Sequence, residues 1–159
     1  MAGARTEGRE AVRAFAAHEH EELRAGIDWI HEVGETLTTL PVDQRGSCIH
    51  KVLDWVDTSL KPHMAWEETW LFPQLDERAR TPWATRSVRF EHQQIAAQAE
   101  RLHAHAAYGS HYPPQDTVAL AADLAGLEAL LRANVEREER FLLPLLEPEA
   151  ERWAPEWHD

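Results

Sequence analysis

A single cysteine, Cys48, leaves no partner for an internal disulfide and no material for a cysteine-rich zinc site. Basic residues are scarce as well. There are 16 Lys and Arg against 28 Asp and Glu, a net charge of -12, and the cations are too scattered to form the basic stripe that a phosphate backbone requires. Nucleic acid is not an expected partner. No apolar run approaches the roughly 20 residues of a membrane span, and the opening MAGARTEGREAVRAF holds no apolar segment of a secretory signal. The expectation is a soluble, cytoplasmic protein with no membrane partner. No segment alternates polar and apolar residues with period two, so strands are not expected. At 159 residues and 43% hydrophobic content, the chain suffices for one domain with a continuous core and is short for two.

What is present is helical periodicity, cut at three places. Leu40-Pro41, the segment from Pro73 to Pro82 and GSHYPPQ separate four stretches in which apolar residues recur at spacings of three and four. The first runs from about Thr6 to Thr39, with His20, Leu23, Ile27, Ile30, Gly34 and Leu37 inward. The second runs from about Asp43 to Phe72 through Ile49, Leu53, Val56, Leu60, His63, Glu67 and Trp70, and Pro62 should bend it just before His63. The third starts at Thr81-Pro82, an N-cap with proline in the first turn, and passes Phe90, His92, Ile95, Ala99 and Leu102 to about Tyr108. The fourth runs from about Asp116 to Leu146 through Leu120, Leu124, Leu127, Leu131, Asn134, Glu138, Phe141 and Leu145. Short connections between amphipathic helices predict an all-α, up-down-up-down antiparallel four-helix bundle over residues 1–148. Residues 149–159 read as a C-terminal tail that can lay Trp153 and Trp157 on the bundle.

Ten histidines in so acidic a chain invite a search for ligands, although most histidines are surface or hydrogen-bonded groups. The second and fourth helices carry one pattern twice: His63, Glu67, Glu68, Leu71 and Pro73 are matched by Asn134, Glu138, Glu139, Leu142 and Pro144. Residues i and i+4 share a helix face, so His63 with Glu67, and Asn134 with Glu138, point inward behind an apolar stripe. Two carboxylates facing each other in a core are very costly unless a cation lies between them. His20 and His92 fall on the inner stripes of the first and third helices; the rival His18 is about 200° from that stripe. Antiparallel packing brings all of these residues to one end. Three imidazoles and two carboxylates there suit a pair of first-row metal ions, with each glutamate able to bridge them. The bland alternative for His63 and Glu67 is a hydrogen-bonded pair without metal.

At these residues the chain resembles the hemerythrin family, in particular the bacterial HHE cation-binding domains. Their pattern is a histidine on the first helix, His-x-x-x-Glu on the second, a histidine on the third and His-x-x-x-Glu on the fourth. Here it reads EHEEL around His20, HMAWEETWLFP from His63, RFEHQQI around His92 and NVEREERFLLP from Asn134, over roughly residues 12 to 147. The resemblance implies two non-haem iron ions, oxygen-bridged, that handle dioxygen or related small molecules such as nitric oxide and peroxide. The metal-ligating set is then His20, His63, Glu67, His92 and Glu138, with Asn134 standing where the family has a histidine. An asparagine amide is a weak donor, so one ion is expected to be held less tightly or to keep an open position. Two function classes follow: a binder or sensor of dioxygen, nitric oxide, peroxide or iron, and a small di-iron oxidase, oxygenase or peroxide-reducing enzyme. A structural bundle without metal is the third.

Other residues carry simpler expectations. Trp66 belongs on a helix seam or the surface, and Trp70 and Phe141 in an apolar layer beneath the site. His50, His105, His111 and His158 face solvent, and Cys48 is a buried small hydrophobe. His31, His103 and Asp123 each lie about three turns, roughly 16 Å, from His20, His92 and Asn134. They form either one polar layer or a rim of solvated side chains.

Overall fold

In a computed structural model the chain is described over residues 2–106 and 114–147, with side chains over 10–106 and 116–147. Four helices make up the fold, and no strand occurs among the described residues. Helix α1 is Ala2–Thr36. Helix α2 covers 42–78 as Val42–Trp55, Lys61–Trp66 and Phe72–Arg78, joined by single wide turns at Val56–Leu60 and Glu67–Leu71. Helix α3 is Arg86–Ala106, and α4 covers 114–146 as Pro114–Arg137, a wide turn at Glu138–Leu142 and a tight last turn at Leu143–Leu146. The side-chain pairings fit the expected antiparallel order, since α1 and α4 pair in opposite directions, His20 with Glu139 and His31 with Glu128. His111, His158, Tyr108 and the tail 149–159 with Trp153 and Trp157 lie outside the described residues.

The wide turns have one cause. Each ends two residues before a proline, and the N–H of the intervening Lys61, Phe72 or Leu143 reaches the carbonyl five residues back, on Val56, Glu67 or Glu138. A proline ring inside a helix collides with the carbonyl four residues earlier and has no N–H to give it. One extra residue in the preceding turn widens the helix and relieves both demands. The kink expected at Pro62 is such a turn. Two more occur before Pro73 and Pro144, and α2 continues through Pro73 to Arg78 instead of stopping at Phe72.

These insertions reset the register beneath the site. An extra residue rotates everything after Glu67 and Glu138 by about 100° relative to an uninterrupted helix. Leu71, Phe72, Leu142 and Leu143 therefore turn inward, while Trp70 is 64% and Phe141 63% exposed. The expected apolar layer exists, built from different residues. Phe90, expected inward, is also exposed, because it lies two residues from the buried His92 and Val88 occupies the inner stripe instead. Burial of each such leucine or phenylalanine contributes about 1.5–3 kcal/mol.

The helix connections are tied by side chains. At the end of α1, Arg45 donates to the carbonyls of Leu40 and Thr38 and to Thr117 of α4, satisfying acceptors that the helix leaves open. After α2, Arg80 takes a left-handed conformation (φ 53°) and Thr81 N–H bonds back to Asp76, a turn that closes a helix C-terminus. The Asp76 carboxylate accepts from both N–H and Oγ1 of Thr85, immediately before α3. Helix α3 thus begins at Arg86 rather than at Thr81-Pro82, which lie in the turn. Gly26 of α1 permits a close approach of Trp55, whose ring would lie 2.2 Å from an added Cβ.

Candidate metal centre

Two apolar clusters lie along the bundle, and the polar site is the seam between them. On one side lie Leu23, Leu60, Ile95 and Leu131; on the other, Ala16, Leu71, Val88 and Leu142. Between them sit the buried His20, His63, Glu67, His92, Asn134 and Glu138. The six residues named from sequence are thus brought together. His18 is exposed against Glu22, leaving His20 as the inward histidine.

The two glutamates lie at the centre and divide their oxygens. Glu67 Oε1 is 3.2 Å from His63 Nε2 and 3.4 Å from His20 Nε2, while its Oε2 is 3.2 Å from His92 Nε2. Glu138 Oε2 is 3.2 Å from His20 Nε2, and its Oε1 lies 3.7 Å from His92 Nε2 and 3.0 Å from Asn134 Nδ2. One side of the cluster therefore presents His20, His63, Glu67 Oε1 and Glu138 Oε2. The other presents His92, Asn134, Glu67 Oε2 and Glu138 Oε1.

Several of these close pairs do not have hydrogen-bond geometry. His63 Nδ1 and Nε2, Glu67 Oε2, His92 Nε2 and Glu138 Oε2 are buried side-chain atoms with no hydrogen-bond partner. Such orphans each cost about 1–3 kcal/mol or more, and buried polar atoms are otherwise almost always paired. Atoms converging on common space fit a cation: donors about 2.1 Å from one ion and at right angles lie about 3 Å apart. His20, His63, Glu67 and Glu138 offer ligand atoms that all lie within 4.8 Å of one another and can hold a metal ion. Among the protein groups alone, protons take that role. Burial opposes charge on His20 and His92, but the carboxylates of Glu138 and Glu67 outweigh it and raise each imidazole from 6.5 to about 10. Burial likewise resists charge on Glu67, and the close imidazoles of His20, His63 and His92 hold its carboxyl well below the usual range.

Four further glutamates surround this centre, each the chain neighbour of an inner residue and each reaching to the next helix. Glu139 accepts from His20 Nδ1 at 3.2 Å, and Glu68 from His92 Nδ1 at 3.0 Å. Glu19 lies 3.6 Å from His63 Nδ1, and Glu91 accepts from Asn134 Nδ2 at 3.4 Å. Arg24 and Arg137 in turn pair with Glu139 and Glu91. An imidazole that donates from Nδ1 keeps its Nε2 lone pair directed inward, the tautomer a metal needs. The sequence pattern contains Glu68 and Glu139 only as neighbours of the inward glutamates and gives none of the four a role. The available signal was the repeated adjacency of Glu with His or Glu at 19–20, 67–68, 91–92 and 138–139.

Away from the centre, Trp66 stacks on Phe15 at 4.8 Å along the α1–α2 seam, and Cys48 is half-buried against the core. His50 is exposed, as expected. His105 is not simply solvent-facing, since its Nδ1 binds the buried Asp123 at 2.5 Å. That contact breaks up the proposed polar layer: His31 pairs with Glu128 and His103 with Asp57, leaving separate surface pairs. A shallow depression of about 280 Å³ between α2 and α3, lined by Lys61, Met64, Ala65, Glu68, Gln93 and Ala96, reaches His92. Among the described residues no helix is long and apolar enough to cross a membrane.

Searches of curated proteins and of solved structures return no match. A family model for the hemerythrin HHE cation-binding domain matches residues 12–146, a span that begins before His20 and ends beyond Glu138. With a buried, cation-demanding cluster of histidines and glutamates at the residues that carry the motif, the chain belongs to the hemerythrin HHE cation-binding domain family.

Proposed function

We propose that this chain is a non-haem di-iron protein that binds, senses or reacts with dioxygen, nitric oxide or peroxide inside an up-down-up-down antiparallel bundle. The observation that carries the reading is the division of the central carboxylates, each with one oxygen toward either side of the cluster. Glu67 and Glu138 would help to hold two ions there, with His20 and His63 as donors on one side and His92 on the other. A pair of oxygen-bridged irons, when bound, supplies the electrons and open coordination that small oxidising molecules require. The protein's own part is to hold this donor set between two apolar clusters and to keep the lone pairs of His20 and His92 inward through Glu139 and Glu68.

The depression that reaches His92 from between α2 and α3 is shallow and open to solvent, giving a small ligand a short path to that side of the cluster. The test is an absorption spectrum of the anaerobically iron-loaded chain before and after nitric oxide or air. A ligand-dependent band is expected in the wild type and absent in Glu67→Ala. An identical band in that variant would place the chemistry elsewhere.

A further inference from the structure

The two sides of the cluster differ at Asn134. Its Nδ2 is 3.0 Å from Glu138 Oε1 and 3.4 Å from Glu91 Oε2. Both neighbours are carboxylates, which only accept, so the amide turns its donor end to them; the reverse orientation would set oxygen against oxygen on both flanks. Glu91 is held by Arg137 Nη1 at 2.5 Å, and Asn134 is buried, so the amide is gripped from outside as well. An imidazole at this place would donate outward from one nitrogen and offer the other nitrogen's lone pair inward. An amide that turns its NH2 group to Glu138 directs N–H, not the Oδ1 lone pairs, at the carboxylate oxygen on this side.

We infer that Asn134 is a positioning residue that donates to the Glu138 carboxylate instead of ligating metal, and that the His92 side is therefore a three-donor site for a hard, exchangeable divalent cation such as Mn(II). This rests on the dimetal reading above. On the His92 side the protein supplies one imidazole nitrogen, Glu67 Oε2 and Glu138 Oε1. The opposite side has two imidazole nitrogens with its two carboxylate oxygens. Imidazole suits iron, while carboxylate and water suit manganese, so loss of one imidazole narrows the preference for iron on one side only. The depression that reaches His92 gives that side a short path to solvent for exchange.

The test is metal competition with the full chain. Protein loaded anaerobically with Fe(II) is given a roughly tenfold excess of Mn(II), desalted, and assayed for both metals and for the Mn(II) paramagnetic resonance signal. The wild type should hold about one iron and one manganese per chain. Asn134→His should keep iron on both sides, with manganese uptake falling at least roughly tenfold. Asn134→Ala, which removes donor and amide oxygen together, should still take up manganese on that side at saturating Mn(II), with affinity lowered by about 10–100-fold as for other residues that orient a ligand. The inference is overturned if the wild type keeps two irons against manganese, or if Asn134→Ala binds no second metal even at saturating Mn(II). Absence of iron from every variant would instead overturn the dimetal reading.

Discussion

Glu67 and Glu138 are wholly buried, and among the described residues their neighbours are imidazoles and an amide, not Lys or Arg. Their role and that of the outer glutamates separate by substitution. Glu67→Ala or Glu138→Ala removes donors from both sides at once and should abolish paired metal binding. Full occupancy in either variant, measured by metal analysis, would refute the assignment. Glu68→Ala should not abolish binding. It removes the acceptor on His92 Nδ1, 3.0 Å away and half exposed, and should weaken metal affinity by about 10–100-fold. Glu68→Gln, which keeps an acceptor oxygen, should recover part of the loss. Equal affinities across these proteins in a chelator competition would remove Glu68 from the site's machinery.

Among the helices, the wide turns before Pro73 and Pro144 decide what lies under the metal ligands. Phe72 is fully buried and stacks near His92 at 5.2 Å, whereas Trp70 is exposed. Phe72→Ala should therefore cost about 3–5 kcal/mol in denaturant unfolding, and Trp70→Ala within about 0.5 kcal/mol. An uninterrupted helix predicts the reverse order. This is also where sequence reading ran out. The stripes through Ile95 and Leu124 were legible because they follow an undisturbed period, and the one through Leu53 and Leu60 because its spacing of three and four carries across the wide turn at Val56–Leu60; His20, His63, Glu67, His92 and Glu138 continue these inner faces. Trp70 and Phe141 were misplaced because proline was read as a kink or a stop, not as a cause of inserted residues that shift the period. The start of α3 was misplaced for a related reason: Thr81-Pro82 has the composition of a helix start, but the Asp76–Thr85 bonds, which join residues across the turn, set it later. The outer glutamates could not be assigned because each acts on a neighbouring helix, and helix neighbours are set by packing.

For the molecule as a whole, the metal centre is the join between two apolar clusters, so metal binding and folding should be linked. An ion at a hundred times its dissociation constant contributes about 2.7 kcal/mol, which for a chain of this length raises the melting temperature by about 5–10 °C. Thermal unfolding with and without a chelator should show that difference, and coincident curves would mean that the cluster is stable without a cation. A carboxylate-shared pair of irons with unequal sides can be read out by metal analysis of protein from iron-supplemented cells, combined with stepwise chelation and an optical spectrum after reduction and re-exposure to air. About two irons per chain are expected, one leaving well before the other, with a spectrum that changes on contact with air. Stoichiometric zinc without affinity for iron, or two irons that leave together, would contradict such a pair.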